Sequence, residues 1–109
     1  MYIAIYKFEV IPGKEKQFIS SWKALTQLIF EYEGSLGSRL HHEKDQTYIA
    51  YAQWPDQITY DNSGTKLPES AAEYRNLMKE ACSHIETLHK LEVVEDLLKL
   101  PDTNQPNSI

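Results

Sequence analysis

The run Tyr48-Ile49-Ala50-Tyr51-Ala52-Gln53-Trp54-Pro55 constrains this chain more than any other stretch. β-branched and aromatic residues follow one another until a proline, which cannot continue a strand ladder. Polar breaks flank the run, Lys44-Asp45-Gln46 before it and Asp56-Gln57 after it, so residues 47–54 read as a strand. Strand side chains alternate between two faces. Tyr48, Ala50, Ala52 and Trp54 take one face; Thr47, Ile49, Tyr51 and Gln53 take the other. Neither set makes a clear solvent face, so both need cover. The alanines beside large aromatics leave room on their face. Alternation alone does not decide which face would line a pocket.

The remaining elements follow from changes of hydrophobic period. Residues 2–11 read as a strand with Tyr2, Ala4, Tyr6 and Phe8 on one face and Ile3, Ile5, Lys7 and Glu9 on the other. Pro12-Gly13 turns the chain. Residues 14–33 read as a helix, because Phe18, Trp22, Leu25, Ile29 and Tyr32 recur at steps of four, three, four and three. Ile19 and Phe30 sit off that stripe and suggest a second contact surface; Gly34 stops the helix. Residues 35–42 read as a strand that carries Arg39 and His41 on one face and Leu40 and His42 on the other. The short polar loop to residue 46 makes the next strand antiparallel.

Residues 55–68 form a long connection punctuated by Pro55, Gly64 and Pro68, with room for one helical turn near its start. Residues 69–84 read as a second helix on the stripe Ala71, Tyr74, Met78, Ala81 and Ile85, with Ser70 and Glu73 spaced as a capping box. Its period can be followed to Leu88. Residues 88–98 suit a final strand, although Val94, Leu97 and Leu98 would also suit a helix. A polar tail, residues 99–109, follows the single domain of residues 1–98.

Strand, helix, strand, strand, helix, strand is the split βαβ order of an α+β, ferredoxin-like βαββαβ domain. Two helices cover one face of a four-stranded antiparallel sheet, and the other face is left open. Since that face is not polar, a homodimer packed through the open sheet face is expected.

Composition narrows the function classes. A formal net charge of −5 argues against nucleic acid and against an anionic membrane as partner. One cysteine, Cys82, cannot make an internal disulfide, which points to a reducing compartment. Lys7 and Glu9 follow too closely on Met1 for a signal peptide or membrane span, so a cytoplasmic location is expected. No Cys and His spacing of a structural zinc site is present. His41 and His42 point to opposite strand faces and cannot share a metal as neighbours, so none is expected.

The segments Phe8 to Glu15, Phe18 with Trp22, Gly34 to His41, and Tyr48 to Pro55 resemble the antibiotic biosynthesis monooxygenase family. The likeness spans roughly residues 2–98. It implies a dimeric α+β barrel with a pocket between sheet and helices in each subunit. The family includes cofactor-free monooxygenases of quinol-like or polyketide-like aromatics, haem-degrading enzymes, and members without a known reaction. The haem-degrading branch uses an asparagine on the first strand. Here Tyr6 and Lys7 stand in that region and the first asparagine is Asn62, so haem degradation is not expected.

Cofactor-free oxygenation of a small aromatic molecule needs an apolar pocket, aromatic walls, and a group that accepts or stabilises a phenolic proton. Seven tyrosines and two tryptophans supply the walls. Trp54, Tyr51 and Tyr60 are candidates for substrate contact, with Arg39 and His41 as polar contacts. Histidine is the residue type whose ordinary titration suits acid–base work at neutral pH, and His84 and Tyr74 are the candidates for catalysis. Each has a plainer reading: Trp54 as core, Tyr74 as part of the helix stripe, Arg39 in a salt bridge, and His84 at a frayed helix end. The alternative functions are a non-catalytic small-ligand-binding or dimerisation module of the same fold, and a structural dimer whose cavity its own side chains fill.

Overall fold

A computed structural model describes residues 1–99. The elements run β1 (Tyr2–Val10), α1 (Glu15–Tyr32), β2 (Gly37–Lys44), β3 (Thr47–Trp54), α2 (Gln57–Asp61), α3 (Ser70–Glu80) and β4 (Cys82–Glu92). The four strands form one antiparallel sheet in the order β2-β3-β1-β4. That is the ferredoxin-like arrangement, with β1 and β3 in the middle.

Register sets which side chains meet. Tyr2 pairs with Trp54, Ala4 with Ala52, Tyr6 with Ala50, and Phe8 with Tyr48. Paired residues share a face, so this set lies together against the helices. Phe8, Val10, Phe18, Ala50 and Ala81 form one buried cluster, and Tyr2, Ala4, Ala52 and Trp54 form a second. Phe18 is the hub of the first, with its ring 5.0 Å from Phe8 and 5.3 Å from Tyr48. Complete burial of such a ring stabilises the fold by about 1.5–3 kcal/mol. Tyr6 packs against both clusters.

α1 ends where Gly34 adopts φ 80°. A side chain there would be strained, and its Cβ would lie 3.2 Å from Thr59 Cγ2. The turn lets Glu33, buried although charged, face the 63–66 loop. Its carboxylate accepts from the backbone N–H of Gly64 and, at 3.0 Å, from that of Lys66. In α2, the Asp56 side chain caps the helix by accepting from Thr59 N–H at 2.8 Å. The Thr59 hydroxyl and then its N–H hold the Asp56 carboxyl below its ordinary value.

Two sequence readings of the C-terminal half are corrected. The second helix ends at Glu80 rather than near 84, and the last strand is Cys82–Glu92 rather than residues 88–98. β1 is a central strand whose second edge needs hydrogen-bond partners, and residues 82–92 supply them. Ile85 pairs with Phe8, whereas Leu88, three residues on and so at helical spacing, is the extra residue of a bulge in the pairing with β1 between Ile5 and Tyr6. The capping box is also absent: Ser70 lies inside α3, and Glu69 at the cap position makes no side-chain cap bond. The tail expected from residue 99 onward lies outside the described residues apart from Lys99.

Candidate active site

Two adjoining cavities lie on the helix side of the sheet. The inner one, about 220 Å³, is bounded by Tyr6, Phe8, Ala50, Ala52 and Trp54 of the sheet, by Trp22, Leu25 and Ile29 of α1, and by Met78 and Ile85. Its floor exists because Ala50 and Ala52 stand where neighbouring sheet positions carry rings. The outer cavity, about 390 Å³, shares Tyr6, Ile29 and Trp54 with it. Here the lining turns polar, with Glu33, Tyr60, Asp61, Ser63, Arg75 and Lys90. Ligand sites for drug-sized molecules occupy about 300–1,000 Å³, a range the two reach together.

Polar and aromatic groups meet at the junction of the two cavities. The Tyr6 hydroxyl donates to the Tyr60 hydroxyl at 3.2 Å. Burial first, and then the Tyr60 hydroxyl, push the Tyr6 phenol well above its ordinary value. Tyr6 therefore stays protonated and acts as a donor, not a base. Tyr60 meets the Trp54 ring edge-on at 5.5 Å and the Tyr2 ring at 5.4 Å, while Lys90 Nζ sits 5.5 Å over the Tyr60 ring. Trp54 is 4% exposed, and its indole Nε1 has no hydrogen-bond partner among the described residues. Such a buried donor costs about 1–3 kcal/mol until an acceptor reaches it.

Of the residues singled out from sequence, Trp54 and Tyr60 come together at this junction. Tyr51 and Arg39 pair across β3 and β2 on the opposite sheet face, where they line a shallow groove with Leu36 and Gln53. His41 lies on that face too, exposed, with Nδ1 3.1 Å from the Ile49 carbonyl. His84 belongs to β4 and pairs with Glu9 on the open face, with Nε2 3.2 Å from Glu86. Tyr74 is half-buried on α3; among the described residues, neither it nor His84 lines the two cavities. Sequence reasoning missed Tyr6, Arg75 and Lys90 as site residues. Arg75 had a signal, since it lies four residues after buried Ala71 and three before Met78, in line with an apolar stripe. Lys90 had none, because its position depends on the bulge in β4.

Among the described residues, no three His, Cys, Asp or Glu side chains are grouped to hold a metal ion, and no helix is long and apolar enough to cross a membrane.

This is a ferredoxin-like α+β domain with an aromatic cavity between sheet and helices. The antibiotic biosynthesis monooxygenase profile matches residues 1–64, more than half of the chain, and the chain belongs to that family. Solved structures repeat its fold. SnoaB, a cofactor-independent oxygenase from Streptomyces nogalater, is 18% identical with a TM-score of 0.72, over 90% of this chain and 97% of that one. Rv0793 from Mycobacterium tuberculosis is 13% identical with a TM-score of 0.70, over 89% and 98%. No curated protein sequence matches significantly.

Proposed function

We propose that this chain is a cofactor-independent monooxygenase acting on a small, flat aromatic substrate of quinol or polyketide-like type. The observation that carries the reading is the junction at Trp54. There an apolar cavity with aromatic walls opens onto a tyrosine hydroxyl pair, beside an indole whose buried Nε1 has no partner among the described residues. Family membership and the fold shared with SnoaB support it.

In this mechanism the ring system lies over Ala50 and Ala52, between Trp22 and Trp54. Tyr6 donates to Tyr60, so the Tyr60 O–H remains free to donate to a phenolate oxygen. Hydrogen bonding to the charged form favours it, and the electron-rich anion then reduces oxygen. In a polyketide-like anthrone the ring carbon that bears two hydrogens becomes a carbonyl; one atom of the O2 stays on it, and the other leaves with both hydrogens as water. The substrate supplies every electron, so the reaction calls for no cofactor. In this mechanism Tyr6 and Tyr60 serve as donors that favour the anion, its proton passes to water, and His84 and Tyr74, which line neither cavity among the described residues, take no part.

Oxygen uptake with anthrone as substrate tests this. Tyr60→Phe should lower kcat about 10²-fold, as loss of one donor to a developing oxyanion does elsewhere. Unchanged uptake in that variant rules out the assigned role. A second reading, a non-catalytic ligand-binding module, is favoured by one observation: among the described residues, no histidine lines either cavity. Anthrone binding without oxygen uptake would select it.

The open sheet face, with Ile5, Ile49, Tyr51 and the exposed Leu91, supports a homodimer packed sheet to sheet. A monomer in sedimentation equilibrium would exclude that assembly.

A further inference from the structure

We infer that the outer cavity is an anion subsite, and that the ligand is a flat aromatic acid whose carboxylate is held by Arg75 and Lys90. This rests on the aromatic-cavity reading above and narrows it to one substrate class. Two cations from separate elements, Arg75 on α3 and Lys90 on β4, line the outer cavity of an otherwise acidic chain. Neither forms an ion pair among the described residues, where the pairs are Lys7 with Glu9 and His84 with Glu86.

Two carboxylates also line this cavity, and neither forms an ion pair with these cations among the described residues. Glu33 already accepts from the N–H groups of Gly64 and Lys66. Asp61 is exposed to water. Lys90 is exposed, with its Nζ 5.5 Å over the ring of Tyr60, one member of the hydroxyl pair at the junction. The half-buried Arg75 has its planar fork of donors to offer, the geometry that binds a carboxylate through two parallel hydrogen bonds. The inner cavity offers the opposite chemistry, since rings and aliphatic side chains dominate its lining. A ligand that satisfies both has an apolar ring body and one negative group at its edge.

Isothermal titration with naphthoic acid and its neutral isostere naphthamide separates the parts of this inference. The wild-type protein should bind the acid about tenfold more tightly or better, a margin that shrinks with added salt. Arg75→Gln and Lys90→Gln should each narrow the preference, and the double variant should erase it, so that the acid and the amide bind with equal affinity. Equal binding of the two probes by the wild-type protein overturns the anion subsite and leaves the aromatic cavity standing. A preference that survives the double variant does the same. Binding of neither probe overturns both. Circular dichroism of each variant confirms the fold, and the two single variants report independently.

Discussion

The Tyr6 hydroxyl on β1 donates to the Tyr60 hydroxyl on α2 at 3.2 Å, across 54 positions of sequence. This bond ties the middle of the sheet to the connection that forms the mouth of the cavity. It also fixes Tyr6 as a phenol, because burial and the neighbouring hydroxyl both oppose its ionisation.

That shift has a consequence for stability at high pH. An unfolded tyrosine releases its proton near pH ~10, whereas folded Tyr6 holds its proton well above that. Above pH ~10 the unfolded chain therefore binds fewer protons than the folded one, and stability falls as pH rises. Denaturant titrations from pH ~9 upward should show this loss, and Tyr6→Phe should flatten it. An equally steep loss in the variant would remove Tyr6 as its source.

Ala52→Leu adds apolar atoms at the floor of the inner cavity, where Ala52 is 9% exposed. In a tight core such an insertion costs about 1–3 kcal/mol. Over a cavity of about 220 Å³ the cost should be absent, with stability unchanged or raised by about 0.5–2 kcal/mol. Aromatic ligand binding should be lost. Thermal melts and calorimetry give the two readings, and retained binding would place the ligand elsewhere.

Glu33→Gln should loosen the connection between β3 and α3. The carboxylate uses two oxygens to hold the N–H groups of Gly64 and Lys66, while an amide offers one acceptor oxygen and turns two donors on the other N–H. Loss of one charge-assisted bond costs about 1.5–3 kcal/mol. Hydrogen exchange should speed up at Gly64 and Lys66 first, with the β1 amides least affected. Uniform acceleration along the chain would show that Glu33 supports the whole fold, not this loop.

Much of the architecture was legible in the chain itself. Alternation in Tyr48 to Trp54, the helical stripe from Phe18 to Tyr32, and the break at Pro12-Gly13 are local signals, and local geometry reads them directly. They set the element order, and the order points to the sheet. The C-terminal half was harder, because Ile85 and Leu88 carry a spacing that suits both a helix and a bulged strand. The need of β1 for a second pairing partner decided between them.

The site depended on tertiary structure. Both faces of β3 carry aromatics, so sequence could not tell whether Trp54 or Tyr51 meets the helices; antiparallel register with β1 placed Trp54 there and Tyr51 on the open face. Tyr6 became a site residue only because Ala50 stands beside it on the next strand. Lys90 entered through a bulge that reverses which residues of β4 face inward. Thus Tyr48 to Pro55, with its two busy faces, determined that this chain builds a sheet around a strand without a clearly polar face. Long-range pairing decided which side holds the cavity, since a one-residue change of register sends every side chain of a strand to the other face.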